Sequence, residues 1–195
     1  MRAVLRSSLF LILGLLLSLP GGLLAQEQER ERDKTLDVRS SAGDLHLGND
    51  ADLRAIGLPA YPGARERKND EHRSNANLAL FTSAFGFKLL VLNFDADDPP
   101  AKVLDFYRDK LKKYGHVLEC RTTEHGGDIQ VHDADDDSHH SKELRCEGDN
   151  SGPVVELKAG TADNQHAVAV EPAEKGSGAT FAVVYVHARG KQGDI

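Results

Sequence analysis

The chain lacks the features that mark a known catalytic chemistry. Its 195 residues include no Trp, one Met and two Cys. No G-x-S-x-G, H-E-x-x-H, S-x-x-K or phosphate-binding G-x-x-x-x-G-K-[ST] motif occurs in it. The sequence therefore offers no catalytic residues and favours a non-enzymatic protein. A hydrolase whose site follows no recognised motif stays open as an alternative.

The chain also lacks an uninterrupted apolar run of the roughly 20 residues that a membrane-spanning helix needs. Its main apolar run, 9–19, follows two arginines and precedes a Pro-Gly-Gly turn and Ala25. That order of basic, apolar and small residues is typical of a cleavable secretory signal. We predict a signal peptide over 1–25, a periplasmic or secreted location, and no stable membrane span after cleavage. Gln26 stands where a lipoprotein would carry its acylated cysteine.

Basic residues are in deficit, with 24 Lys and Arg against 31 Asp and Glu. Cleavage of the predicted signal removes Arg2 and Arg6, so the mature chain carries 22 basic and 31 acidic groups and a net charge of −9. Such a protein repels nucleic-acid phosphates and anionic lipid. We expect no nucleic-acid partner and favour an envelope protein or another cell-envelope component. The sequence leaves the oligomeric state open.

Only two cysteines are present, Cys120 and Cys146. Export would place them where disulfides persist, and they lack the short C-x-x-C spacing of a redox site. We predict a structural disulfide between them. A reactive thiol pair and two buried free thiols are the alternatives.

Beyond the signal, 26–34 contains no apolar residue and is predicted to be a polar, disordered leader to a single domain over 35–190. Leu36 and Val38 alternate with polar neighbours, as do Leu45 and Leu47, and this period two around the turn cluster 40–43 predicts a hairpin. Further strands are predicted at 77–82, 87–95, 116–122, 154–159, 167–170 and 180–188. The strand 87–95 is apolar on both faces, which indicates a central position in the sheet.

One amphipathic helix is predicted after Asp98, which would be its N-cap, with Pro99 in the first helical position and Gly115 ending it. Its apolar residues recur at three- and four-residue spacing: Val103, Leu104, Tyr107, Leu111 and Tyr114. Strands joined by short turns around a single helix favour an α+β fold, with a mostly antiparallel sheet and the helix packed on one face.

A polar stretch over 124–142 holds the candidate metal ligands. Asp133-x-Asp135-x-Asp137 matches the start of a calcium loop, but Ser138 replaces its glycine and Glu143 falls one position early. A looser transition-metal site stays open because imidazole binds zinc, nickel or copper. We therefore keep a periplasmic divalent-metal-binding protein as an alternative to a solvated acidic loop without cofactor. The candidate ligands are His132, Asp133, Asp135, Asp137, His139 and His140.

Other polar residues have ordinary structural interpretations. His116, His166 and His187 lie on predicted strands, where a partly exposed histidine usually has no catalytic role. The carboxylates of Asp95 and Asp97 could form an acid pair with Asp98, although helix capping already accounts for the last.

The ordered motifs of the chain resemble those of a group of uncharacterised exported bacterial envelope proteins. The similarity rests on Gly57-Leu58-Pro59 with Tyr61-Pro62-Gly63-Ala64, on Val103-Leu104-x-Phe106-Tyr107 with Leu111, and on the ending 181–186, FAVVYV. The resemblance spans about 37–189 and implies an envelope location and a compact α+β domain. It brings no catalytic residue and no ligand. Many members of the group carry the lipidated cysteine that this chain lacks.

Overall fold

The computed structural model describes residues 35–67, 75–123 and 143–190. The predicted signal peptide, the predicted leader over 26–34 and the acidic stretch 124–142 lie outside the described residues. The strands, in chain order, are β1 (Leu36–Ser40), β2 (Gly43–Gly48), β3 (Arg65–Glu66), β4 (Ala76–Phe81), β5 (Gly86–Ala96), β6 (Leu118–Thr122), β7 (Val154–Thr161), β8 (Asn164–Pro172) and β9 (Ala179–Arg189). A short helix, α1 (Leu53–Ile56), follows β2, and the main helix, α2 (Pro100–Leu111), follows β5 and continues as a 3₁₀ turn over Lys112–Tyr114.

All the strands join one sheet in the order β1-β2-β4-β5-β9-β8-β7-β6, with β3 paired to the far end of β5. Every pairing is antiparallel. The predicted α+β class is confirmed at this level: a mostly antiparallel sheet with one main helix on it. The strand 87–95 is central as expected, because β5 lies between β4 and β9.

The core lies between α2 and one face of the sheet, which we call the helix face. Val103, Tyr107 and Leu111 are fully buried from the helix side. Because side chains alternate along a strand, every second residue of β5, β7, β8 and β9 meets them. These sheet residues are Leu90, Leu92, Phe94, Val155, Leu157, Val168, Val170, Phe181 and Val183.

The start of α2 differs from the prediction. The helix begins at Pro100, its N-cap is Pro99, and no side chain caps it. Asp98 instead accepts hydrogen bonds from the Tyr61 hydroxyl at 2.8 Å and from Lys102 Nζ at 2.7 Å. The prediction was wrong because Pro-Pro permits either proline to begin the helix, and a tertiary contact with Tyr61 decided where the carboxylate points.

The Leu58–Ala64 turn is anchored in the core, since Leu58 and Tyr61 are 3% and 7% exposed. Gly57 ends α1 with a φ of +80°, a left-handed conformation that glycine adopts without strain. Its carbonyl accepts hydrogen bonds from Lys113 Nζ and the Tyr114 hydroxyl. The end of the main helix therefore holds this turn against the sheet.

Candidate functional site

The sheet has a second face, opposite the helix face, and it is apolar in β1, β2, β4 and the part of β5 that pairs with β4. Register places Leu36 opposite Leu47 and Val38 opposite Leu45, and these rows continue through β4 into β5. Both members of each cross-strand pair are therefore apolar. We call this surface the apolar face: Leu36, Val38, Leu45, Leu47, Leu78, Leu80, Phe87, Leu89 and Val91.

The outer part of the apolar face is open. Leu36, Val38 and Leu47 are 51%, 45% and 46% exposed. Among the described residues no helix packs on it, because α1 and α2 belong to the core on the helix face. Contiguous exposed apolar side chains of this kind are enriched at binding surfaces.

Towards β9 and β8, the side chains on the same side of the sheet are buried. Val184, Val186 and Ala167 are at most 2% exposed and form a second apolar cluster with Phe87, Leu89 and Val91 at its margin. Exposure thus rises from the middle of the sheet towards β1. The candidate binding surface is the β1-β2-β4 end of the apolar face.

A polar cluster lies on the helix face of the same strands. His46 Nδ1 is 2.7 Å from Asp37 Oδ1 and its Nε2 is 3.0 Å from Asp50 Oδ1. The hydrogen bond with Asp37, followed by that with Asp50, raises the pKa of His46 above its usual value. Asn77 Nδ2 also donates to Asp50 Oδ1 at 3.0 Å. The cluster ties β1 and β4 to the segment that leads into α1.

His46 lies at the edge of a shallow groove of about 310 Å³, beside Arg39, Asp44, Ala79 and Phe81. A general base needs a ring nitrogen directed at the substrate. Both nitrogens of His46 are bonded to carboxylates instead. The arrangement suits a structural clamp better than proton transfer.

A larger open cleft of about 450 Å³ lies between β3, the end of β5 and the turn before β9. Four of its charged residues are paired: Arg65 donates to both carboxylate oxygens of Asp97 at 2.8 and 2.9 Å. Asp95 accepts from the Thr180 hydroxyl at 2.9 Å and lies 3.5 Å from Arg67 Nε. The carboxylates at 95, 97 and 98 thus have separate partners and do not form an acid pair.

His166 is buried against the main helix. Its ring stacks on Tyr114 at 3.6 Å and lies 4.8 Å from the ring of Tyr185. Burial lowers the pKa of His166 to about 4, against a hydrogen bond to the backbone of Ile56 that favours the charged form. This histidine is more deeply buried, at 6% exposure, than its sequence pattern predicted. It acts as a neutral packing residue.

The predicted disulfide between Cys120 and Cys146 is present, with 5.3 Å between the Cα atoms. It joins β6 to the segment before β7. Cys120 lies opposite Glu156 in the sheet, and Glu156 forms a buried ion pair with Lys158. The bridge therefore lies on the same side of the sheet as the apolar face, at the β6 end.

The candidate metal ligands cannot be placed beside these features. His132, Asp133, Asp135, Asp137, His139 and His140 all lie outside the described residues. Within 35–67, 75–123 and 143–190, no group of three or more His, Cys, Asp or Glu side chains is arranged to hold a metal ion. The metal hypothesis stays a prediction.

Two features were not predicted from the sequence. The first is the His46 cluster, whose members are distant in sequence and meet only through strand register. The second is the Glu156–Lys158 pair, for which a signal existed. These residues alternate with Val155, Leu157 and Ala159, so period two already placed both charges on one face of β7.

No protein-family model, curated protein or solved structure matches the chain. The resemblance to exported envelope proteins accordingly stays a prediction. In the part of the chain that the structure describes, no helix is long and apolar enough to cross a membrane.

Proposed function

We propose that the mature chain is a non-enzymatic binding module of the cell envelope, and that it receives another envelope protein on the apolar face. The observation that supports this proposal is the cross-strand pair Leu36–Leu47, whose side chains are half exposed at the outer end of an apolar sheet surface. Exposed leucines in register are costly to leave in water, and a partner that covers them recovers that free energy.

The chemistry of the surface defines the partner. The apolar face contains no charged side chain, whereas the mature chain as a whole is acidic. A complementary partner presents apolar side chains within a neutral or basic surrounding surface. Anionic lipid is disfavoured by the same net charge, so a protein fits better than a bilayer surface.

Covering this surface supplies a useful affinity. Complete burial of a leucine or valine side chain contributes roughly 1.5–3 kcal/mol, and Leu36, Val38 and Leu47 are about half exposed. Their further burial therefore contributes on the order of 1 kcal/mol each. Replacing one of them should weaken binding by about fivefold to tenfold.

The test uses two exposed residues of β2 that point to opposite faces. Leu47→Thr removes apolar area from the apolar face and keeps a residue that favours strands. Asp44→Thr is the matched control, since Asp44 is exposed on the helix face. The mature wild type and both variants are immobilised and exposed to envelope extract, and each captured protein is then purified and titrated.

We expect one reproducible partner that binds wild type and Asp44→Thr alike and binds Leu47→Thr more weakly. A partner that binds all three equally would contradict the assignment of the apolar face. Turnover of a substrate by the purified domain, abolished by His46→Ala, would show that the protein is an enzyme.

A further inference from the structure

The two edge strands of the sheet, β6 and β1, have different surroundings. At β6, the backbone N–H of Arg121 donates to the Asn150 side chain at 2.7 Å, and the Cys120–Cys146 disulfide holds the following segment beside the strand. At β1 all five residues are exposed, and among the described strands none pairs with its outer side. An exposed edge strand presents backbone donors and acceptors that can pair with another strand.

The sequence of β1, Leu-Asp-Val-Arg-Ser, is complementary to itself. We propose that two copies of the chain associate by antiparallel pairing of β1 with β1 about a two-fold axis at Val38. In this register Asp37 of each copy lies opposite Arg39 of the other. Val38 meets its own counterpart, and Leu36 lies opposite Ser40.

The charges on the helix face alternate across such a seam. Within one copy, Asp37 lies opposite His46 and Arg39 lies opposite Asp44. Pairing two copies extends each row to His46, Asp37, Arg39 and Asp44, the last two from the second copy. Opposite charges directly across a strand pair are favourable, whereas like charges are unfavourable. Asp37 remains accessible for this contact, because its side chain is 61% exposed.

The neighbouring registers are unfavourable. A shift of two residues in either direction places Asp37 opposite Asp37, or Arg39 opposite Arg39. A shift of one residue places the apolar face of one copy and the polar face of the other on the same side of the joined sheet. Only the register centred on Val38 keeps the faces matched and the charges opposite.

The pairing also joins the two apolar faces into one surface. Directly opposed residues of an antiparallel pair point to the same side, so Leu36 and Val38 of both copies become neighbours. The contact is short, below the area of a typical stable interface, which implies a reversible dimer with a dissociation constant in roughly the micromolar range.

Sedimentation equilibrium of the purified mature protein tests the proposal, at concentrations from about 1 µM to about 1 mM. We expect a monomer–dimer equilibrium in the wild type. Asp37→Arg and Arg39→Asp each create like-charge pairs in the seam and should weaken dimerisation at least tenfold. A wild type that stays monomeric over the whole range would overturn the proposal.

The two single variants also provide a sharper test, because they are complementary to each other. The β1 strand of Asp37→Arg carries two basic side chains, whereas that of Arg39→Asp carries two acidic ones. In an equimolar mixture a heterodimer should therefore form at concentrations at which each variant alone stays largely monomeric. The double variant Asp37→Arg/Arg39→Asp restores both contacts and should dimerise by itself. Single variants that dimerise as well as the wild type would show that another surface is used.

Circular dichroism establishes that each variant is folded. If Asp37→Arg is not, because Asp37 also contacts His46, then Arg39→Asp and the hydrogen exchange of β1 decide the matter. Exchange at 36–40 should slow as the wild-type concentration rises and should not change with Arg39→Asp concentration. These measurements need no other protein, so their failure is distinct from failure of the proposed envelope partner.

Discussion

Lys158 and Glu156 form an ion pair inside the protein, with 3.0 Å between Nζ and Oε2 and side chains that are 4% and 2% exposed. The two residues are separated by one position on β7 and share the face that lies away from the main helix. Removing one member of such a pair leaves a charge in a poorly solvated site, which costs about 3–5 kcal/mol.

Lys158→Met should therefore lower the free energy of unfolding by about 3–5 kcal/mol, because it removes the ammonium group that neutralises Glu156. Glu156→Leu/Lys158→Met removes both charges and should recover most of that loss. Urea denaturation at neutral pH measures both variants. A single variant as stable as the wild type would show that the pair is solvated.

The clamp at His46 predicts a pH dependence of stability. Hydrogen bonds to Asp37 and Asp50 raise the pKa of His46 in the folded state. Its contribution is therefore fully present below the unfolded pKa of about 6.5 and is lost as the pH rises through the folded value. His46→Gln lacks this contribution, so the wild type should exceed the variant in stability more at about pH 5.5 than at about pH 8.5.

Two measurements check this prediction. Thermal unfolding at both pH values compares wild type with His46→Gln, and NMR titration reports the His46 pKa directly. Asp37→Asn should bring that pKa down towards its ordinary value. A His46 that titrates at or below the ordinary value in the wild type would contradict the clamp.

The parts of the fold that sequence predicted are those that local patterns determine. The apolar stripe of α2 and the two apolar faces of β5 follow from side-chain periodicity along one element. Each of these signals is contained within a few consecutive residues.

The remaining features depend on how distant elements meet. No pattern within β9 predicts that it pairs with β5. The pairing is seen only in the structure, where the Thr180 hydroxyl donates a hydrogen bond to Asp95 across 85 residues of chain. Asp98 has the residue type and the position of a helix N-cap, but in the fold its carboxylate accepts hydrogen bonds from Tyr61 and Lys102 instead. The exposure of the β1-β2-β4 end of the apolar face could not be predicted from the sequence for the same reason. Alternation in β1 and β2 predicts an apolar side but not whether another layer covers it.

The disulfide should contribute a stability that grows with the logarithm of the length of chain it closes. Cys120 and Cys146 are separated by 26 positions, for which loop-closure entropy gives about 3–4 kcal/mol. The double variant Cys120→Ser/Cys146→Ser should lose that amount in urea denaturation. Addition of a reductant should destabilise the wild type to a similar extent and leave the variant unchanged.

His166 predicts a loss of stability in acid, with the opposite sign to His46. Its pKa is lowered to about 4 because burial penalises the imidazolium form. The unfolded chain therefore binds a proton near pH 6.5 that the folded chain resists until about pH 4, so stability falls as the pH falls between these values. The total loss from this residue is on the order of 3 kcal/mol.

His166→Phe isolates this effect, because it keeps an aromatic ring against Tyr114 and cannot be protonated. Its stability relative to the wild type should rise as the pH falls from about 6.5 to about 4. Urea denaturation across this range measures the difference, and it is best done in the His46→Gln background, where the opposing contribution is absent. A constant difference between the two proteins would mean that His166 protonates as readily in the fold as in the unfolded chain, which its burial between the rings of Tyr114 and Tyr185 argues against.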